Sequence, residues 1–237
     1  MPAPDEGAVP GPRPVRVAVV DSGVNPSHPH IGRVAGGLTA VPGAADDYVD
    51  RIGHGTAVTA AIQERAPGAD LFIVKVFDRT LSASIDTLIA GIDAAWRHGA
   101  DLINLSLGTA NQAHAAALRG AAERAAAAGA LIVSAGRHEA VRYLPGALDG
   151  VVAVELDWTC PRLSVEVGAD PEQRPVCRAS GYPRPAPGIP PERNLKGLSF
   201  AVANVTGALA RTLTGGCRPT ADAAVAALRA EADGAGR

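Results

Sequence analysis

Val15-Arg16-Val17-Ala18-Val19-Val20-Asp21-Ser22-Gly23 is the stretch on which the fold turns. Its β-branched run reads as a buried strand. Asp21 closes that strand, and the carboxyl edge of an open parallel sheet is where such folds place their ligands. Ser22 and Gly23 give the carboxylate a frame of small residues.

Working outward, strand and helix patterns alternate. Residues 70–77 form a second strand pattern. Ile85, Leu88, Ile89, Ile92 and Trp96 then mark one face of an amphipathic helix closed by Gly99. Residues 101–107 predict a third strand, 112–128 an alanine-rich helix, 131–133 a fourth strand and 151–154 a fifth. This alternation predicts an α/β fold with right-handed βαβ units around a central, mostly parallel sheet flanked by helices. From 157 to 194 the pattern gives way to polar loops with room for one hairpin. The proline-dense stretch 182–191 predicts a rigid wall beside the residues that follow it. Residues 199–213 are small and apolar nearly all round, as in a buried central helix. A last helix begins near Thr220, its N-cap.

At 237 residues the chain is long enough for one sizeable core. Residues 15–237 are expected to form a single domain after a flexible segment at 1–14. The apolar fraction of 47% rests on Ala, Val, Leu and Ile, with aromatics at only 3%, so closely packed elements are expected in place of an aromatic-lined groove. A formal charge of −2 implies no polyanion and so no nucleic-acid partner. No window spans a bilayer, and the N-terminus lacks the basic start and apolar stretch of a signal peptide. The expected compartment is therefore the cytoplasm. Cys160, Cys177 and Cys217 are odd in number and lack metal-ligand spacing. Free thiols fit that compartment, although Cys160 and Cys177 could bridge a loop.

Two further segments join Asp21. Gly53-His54-Gly55-Thr56 precedes the apolar run Ala57, Val58, Ala61 and Ile62, so the His54 ring projects from the first turn of a helix. Gly197-Leu198-Ser199-Phe200-Ala201 puts Ser199 at another helix start, where its N–H has no partner within the helix and can face an oxyanion. Acid, imidazole and hydroxyl are the components of nucleophilic attack on a carbonyl. Their order, Asp, His, Ser, is that of subtilisin.

The chain resembles the subtilisin-like serine peptidases. Residues 17–24 with Ser27-His28-Pro29 resemble the family's aspartate segment, residues 53–58 its histidine segment, and residues 197–201 with Val205 and Gly207 its nucleophile helix. Ile103-Asn104-Leu105-Ser106-Leu107-Gly108 resembles the strand beside bound peptide, and Ser134-Ala135-Gly136 the other wall of the primary pocket. The resemblance implies a three-layer fold, Asp21 orienting the imidazole, His54 as general base then acid, and Ser199 as nucleophile. It implies a substrate peptide or protein bound as an extended strand along Leu105, Ser106, Leu107 and Gly108, with Ser134, Ala135 and Gly136 opposite; no cofactor is expected, and no metal, since no ligand set is complete.

Departures from the family pattern qualify this. The family normally follows Ala-Gly with an asparagine that completes the oxyanion hole; here Arg137 stands there, able to donate or to swing away to a carboxylate. Phe200 and Ala203 replace the usual Met and Pro. No pro-segment is recognisable, which fits a peptidase dedicated to a narrow substrate. A catalytically impaired peptide-binding module of a biosynthetic complex is the alternative, and acyl transfer to an amine a third reading. The oligomeric state is open.

Other residues are assigned ordinary roles. Asp46, Asp47 and Asp50 are expected in a solvated loop, or in one that contacts the leaving side of the substrate, without the second His or Cys a metal would need. His28 and His30 flank Pro29 in a turn. Arg184 and Arg193 are expected to pair with Glu192 or aspartates, or else to read an acidic substrate.

Overall fold

The computed structural model describes residues 13–42 and 46–235. Most of the segment expected to be flexible, residues 1–12, lies outside them. Arg13 is held: its guanidinium donates two 2.7 Å bonds to Asp101.

The opening run forms β1 (Arg16–Asp21). It lies at the centre of a sheet with β2 (Gly36–Thr39), β3 (Asp70–Lys75), β4 (Leu102–Leu105), β5 (Leu131–His138), β6 (Val141–Arg142), β7 (Val152–Leu156), β8 (Glu166–Ala169) and β9 (Pro175–Ala179). The strand order is β2-β3-β1-β4-β5-β7-β9-β8, with β6 on β5. Every pairing is parallel except β5–β6 and β8–β9. The single hairpin expected between 157 and 194 is β8–β9. β2, whose Gly-Gly-Leu-Thr has no strand pattern, was not foreseen.

The helices are α1 (His54–Arg65), α2 (Ile85–Arg97), α3 (Ala115–Ala128), α4 (Leu198–Thr212) and α5 (Ala221–Ala235). Val17 and Val19 point to the layer holding α1, α4 and α5, while Ala18 and Val20 point to the layer of α2 and α3. This is the period of two that a strand imposes on side chains. Both faces are covered, so the fold has three layers. α4 is buried from Phe200 through Ala210. Small residues let it lie against α1, where a Cβ on Gly207 would come 2.8 Å from Arg65 Cβ. Each fully buried Val, Leu or Ile side chain contributes about 1.5–3 kcal/mol.

Register aligns the carboxyl ends. Val20 pairs with Leu105 and Leu105 with Ser134, so Asp21 and Ser106, at the carboxyl ends of β1 and β4, lie side by side next to the Ser134-Ala135 stretch of β5, which runs on to His138. Cys160, Cys177 and Cys217 are free thiols. No helix of the described residues is long and apolar enough to cross a membrane.

Candidate active site

Asp21 ends β1 fully buried. Its Oδ1 accepts from the Ser22 N–H at 2.7 Å and faces His54 Nδ1 at 2.8 Å. Oδ2 is buried without a hydrogen-bond partner among the described residues. An anion so poorly compensated favours a positive charge on the neighbouring ring, which is what an orienting carboxylate supplies when the imidazole takes a proton.

Gly53 at φ +92° turns the chain into α1, so His54 stands on the first turn. Burial is the largest influence on its ring and depresses the pKa. The hydrogen bond and charge of Asp21, with the charge of Asp50, outweigh it and raise the pKa above 6.5.

Gly197 at φ +144° does the same for α4, and Ser199 is the second residue of that helix. Neither glycine offers a capping side chain; in α1 the Gly55 and Thr56 N–H groups are taken by Ser22 and Asp50, whereas in α4 the Leu198 and Ser199 N–H groups have no partner among the described residues. Ser199 Oγ donates to the Ser106 carbonyl at 3.1 Å, and Ser106 Oγ donates to the Ser199 carbonyl at 2.9 Å. The hydroxyl rests on β4's extension, with no hydrogen bond to His54 among the described residues. Phe200 packs its ring 5.7 Å from the His54 ring.

His54 and Ser199 border one cavity of about 430 Å³. Its walls include Ser106, Leu107, Gly108 and Thr109 on one side, and Leu81 and Leu88 on the other.

A model of the subtilase family matches residues 13–155, which include Asp21 and His54 but not Ser199. Subtilisin DY of Bacillus licheniformis is 31% identical over 220 residues, covering 84% of this chain and 77% of that protein. The chain belongs to the subtilase family. Subtilisin E of Bacillus subtilis is 36% identical over 134 residues, 53% of this chain but only 34% of its own length. The crystal structure of a lanthipeptide protease shares the fold with a TM-score of 0.68 at 20% identity, covering 91% of this chain and 79% of that one.

Within this subtilase, Arg137 follows a bulge in β5. Its Nη2 lies 3.0 Å from both carboxylate oxygens of Glu172, in the β8–β9 turn. Of the two orientations open from sequence, the guanidinium takes the one toward a carboxylate. Ser134, Ala135 and Gly136 are buried. The segment 143–146 lies over them, with Tyr143 N–H donating to the Gly136 carbonyl and Gly146 packed on that of Ala135. Leu107 and Gly108 are more open, and Thr109 pairs with Leu144.

The loop expected to be solvated does structural work instead. Asp50 Oδ1 accepts from Ser22 Oγ and from the N–H groups of Ile52 and Gly53, and Oδ2 from Thr56 N–H and Oγ1. Ser22 Oγ in turn accepts from Gly55 N–H. Asp50 therefore joins the Asp21 segment to the first turn of α1. Desolvation alone would raise its pKa; the bonds from Thr56, Gly53 and Ile52 outweigh it and hold the pKa low. Sequence reading missed this role, although an aspartate four residues before the histidine was visible. Asp47 pairs with Arg51 at 2.6 Å. Arg184, expected on a carboxylate, donates instead to the His30 carbonyl at 3.2 Å.

Proposed function

We propose that this subtilase is a serine endopeptidase that hydrolyses peptide bonds through an acyl-enzyme on Ser199. The observation that carries the reading is the 2.8 Å contact of Asp21 with His54 in the wall of the cavity that also exposes Ser199. In the first step, Ser199 Oγ leaves the Ser106 carbonyl and forms a bond to the substrate carbonyl carbon as His54 takes its proton. The Ser199 N–H, unpaired within α4, donates to the oxyanion. His54 then protonates the leaving amine, and water releases the acyl group by the same path in reverse. Substrate lies as an added strand along residues 105–108, and burial of Ser134, Ala135 and Gly136 favours a narrow range of peptides.

Incubation with a randomised peptide library, read by mass spectrometry, tests this reading. Products that vanish in Ser199→Ala support it, and no Ser199-dependent product overturns it. The second reading is a catalytically impaired peptide-binding module of a biosynthetic complex. It draws on the resting position of the Ser199 hydroxyl and on Arg137 being engaged by Glu172. It requires peptide binding with no turnover in the wild-type protein.

A further inference from the structure

The Asp21–His54–Ser199 group lies at the sheet edge with a cavity to each side. The first, beside residues 106–109, faces the layer of α2. The second, of about 300 Å³, lies on the α1 and α4 side. Its walls come from the loop after β1 (His28 and His30), the first turn of α1 (Gly53 and Thr56) and the approach to Ser199 (Arg184 and Asn194). If the acyl part of a peptide runs along residues 105–108, the leaving part departs across Gly53 and the approach to Ser199, toward this second cavity.

The charges there are unbalanced. Arg184 forms no ion pair among the described residues; its one hydrogen bond, to the His30 carbonyl, leaves the other guanidinium N–H groups without partners there. Arg184 also borders a neighbouring cavity together with Arg33. The His28 and His30 rings meet edge to face at 5.2 Å. Desolvation, then the Arg184 charge and then His28, push the His30 pKa down, against a smaller opposing effect of Glu64. Asp50, which itself borders the cavity, and the carboxylates of Asp70 and Glu64 are committed to other partners. Asp50 accepts its five hydrogen bonds, Asp70 holds Arg16 at 3.0 Å, and Glu64 holds Arg162. A guanidinium with free N–H groups in a concave site bounded by imidazoles suits a carboxylate, which it can meet with two parallel bonds.

We propose that this second cavity takes a glutamate or aspartate side chain of the substrate on the leaving side of the cleaved bond, with Arg184 as its specificity-determining residue. The inference rests on the peptidase reading.

The test uses peptide libraries carrying Glu, Gln or Lys at each of the first three positions after the cleaved bond. Cleavage by the wild-type protein, Arg184→Gln and Arg184→Glu is compared by mass spectrometry. Wild-type protein is expected to favour Glu over Gln by about tenfold in kcat/KM at one position, the scale of one partly desolvated ion pair. Arg184→Gln should bring that ratio close to one, and Arg184→Glu should move the preference to Lys. A wild-type ratio near one at all three positions, or a Glu preference that survives Arg184→Gln, overturns the assignment. If nothing is cleaved, the peptidase reading fails on its own. Binding of the same peptides to Ser199→Ala, with and without Arg184→Gln, then decides the pocket: tighter Glu binding that depends on Arg184 supports it, and equal binding overturns it.

Discussion

Ser199 and Ser106 exchange hydrogen bonds, hydroxyl to carbonyl in each direction, at 3.1 and 2.9 Å. The pair ties the start of α4 to the end of β4. It is continued inward by Asn104, which donates to Ser106 Oγ at 3.0 Å and accepts from Thr206 Oγ1 at 2.9 Å. The Ser199 segment is thereby fixed to the strand that is proposed to carry substrate. In the proposed reaction the Ser199 hydroxyl exchanges the Ser106 carbonyl for His54.

The pH dependence of kcat/KM follows from His54. Only the neutral ring accepts a proton, and its pKa is raised, so activity should rise with pH along a limb centred above 6.5. The charge of Asp50 contributes to that rise, so Asp50→Asn should move the limb to lower pH. The same shift has a stability side. Pairing of the imidazolium with Asp21 stabilises the fold below the unfolded value, and this contribution fades as pH climbs through the raised value. A pH-rate profile of both proteins checks the sign; a limb centred below 6.5 would contradict it.

Arg137 offers a sharper comparison. With its guanidinium on Glu172 and the pair partly exposed, Arg137→Ala should change kcat by less than about twofold and stability by less than about 1 kcal/mol. Arg137→Asn restores the family's amide. A well-placed donor of that kind accounts for about 10²–10³ in kcat in subtilisin, so an increase is expected, bounded by how well the amide reaches the oxyanion. A fall in kcat of tenfold or more in the alanine variant would mean that the guanidinium leaves Glu172 to serve the reaction.

The layer of α1 and α4 depends on close approach at Gly207. Gly207→Ala forces a methyl against Arg65 Cβ and the Ile62 carbonyl, at 2.8 and 3.2 Å. The cost should be about 1–3 kcal/mol, the usual scale of overpacking, measured as a lower urea midpoint. An unchanged midpoint would show that the two helices can separate freely.

The cysteines differ in access. Cys177 is fully buried and its thiol is pushed up to about 12 by desolvation, Cys160 is raised by the same cause, and Cys217 is exposed. A thiol reagent at neutral pH should titrate one group in the native protein and three after denaturation. Two groups missing after denaturation would indicate a disulfide.

Asp21, His54 and Ser199 stood out in the sequence because each lies at an element end within two residues of a glycine, Asp21 after the β-branched run of β1 and the other two on the first turns of α1 and α4. The order of helices and parallel strands was legible for the same reason of period. What escaped depends on contacts formed only once distant segments meet. Asp50 reads as one more acid in a polar loop until Ser22 and Thr56 close on it. Glu172 lies 35 residues beyond Arg137 in an irregular stretch, and nothing local pairs them. Arg184 looked like a partner for nearby acids, yet its loop carries it to His30, 154 residues earlier. β2 has two glycines in four residues and is held by pairing with β3, not by its own pattern.

The central claim, that His54 and Asp21 activate Ser199, is tested most directly by reaction with a fluorophosphonate followed by mass mapping of the labelled residue. The account predicts a single adduct on Ser199, formed at a rate that rises with pH along the His54 limb and lost in both Ser199→Ala and His54→Ala. No adduct, or an adduct on Ser199 that forms equally fast in His54→Ala, would contradict it.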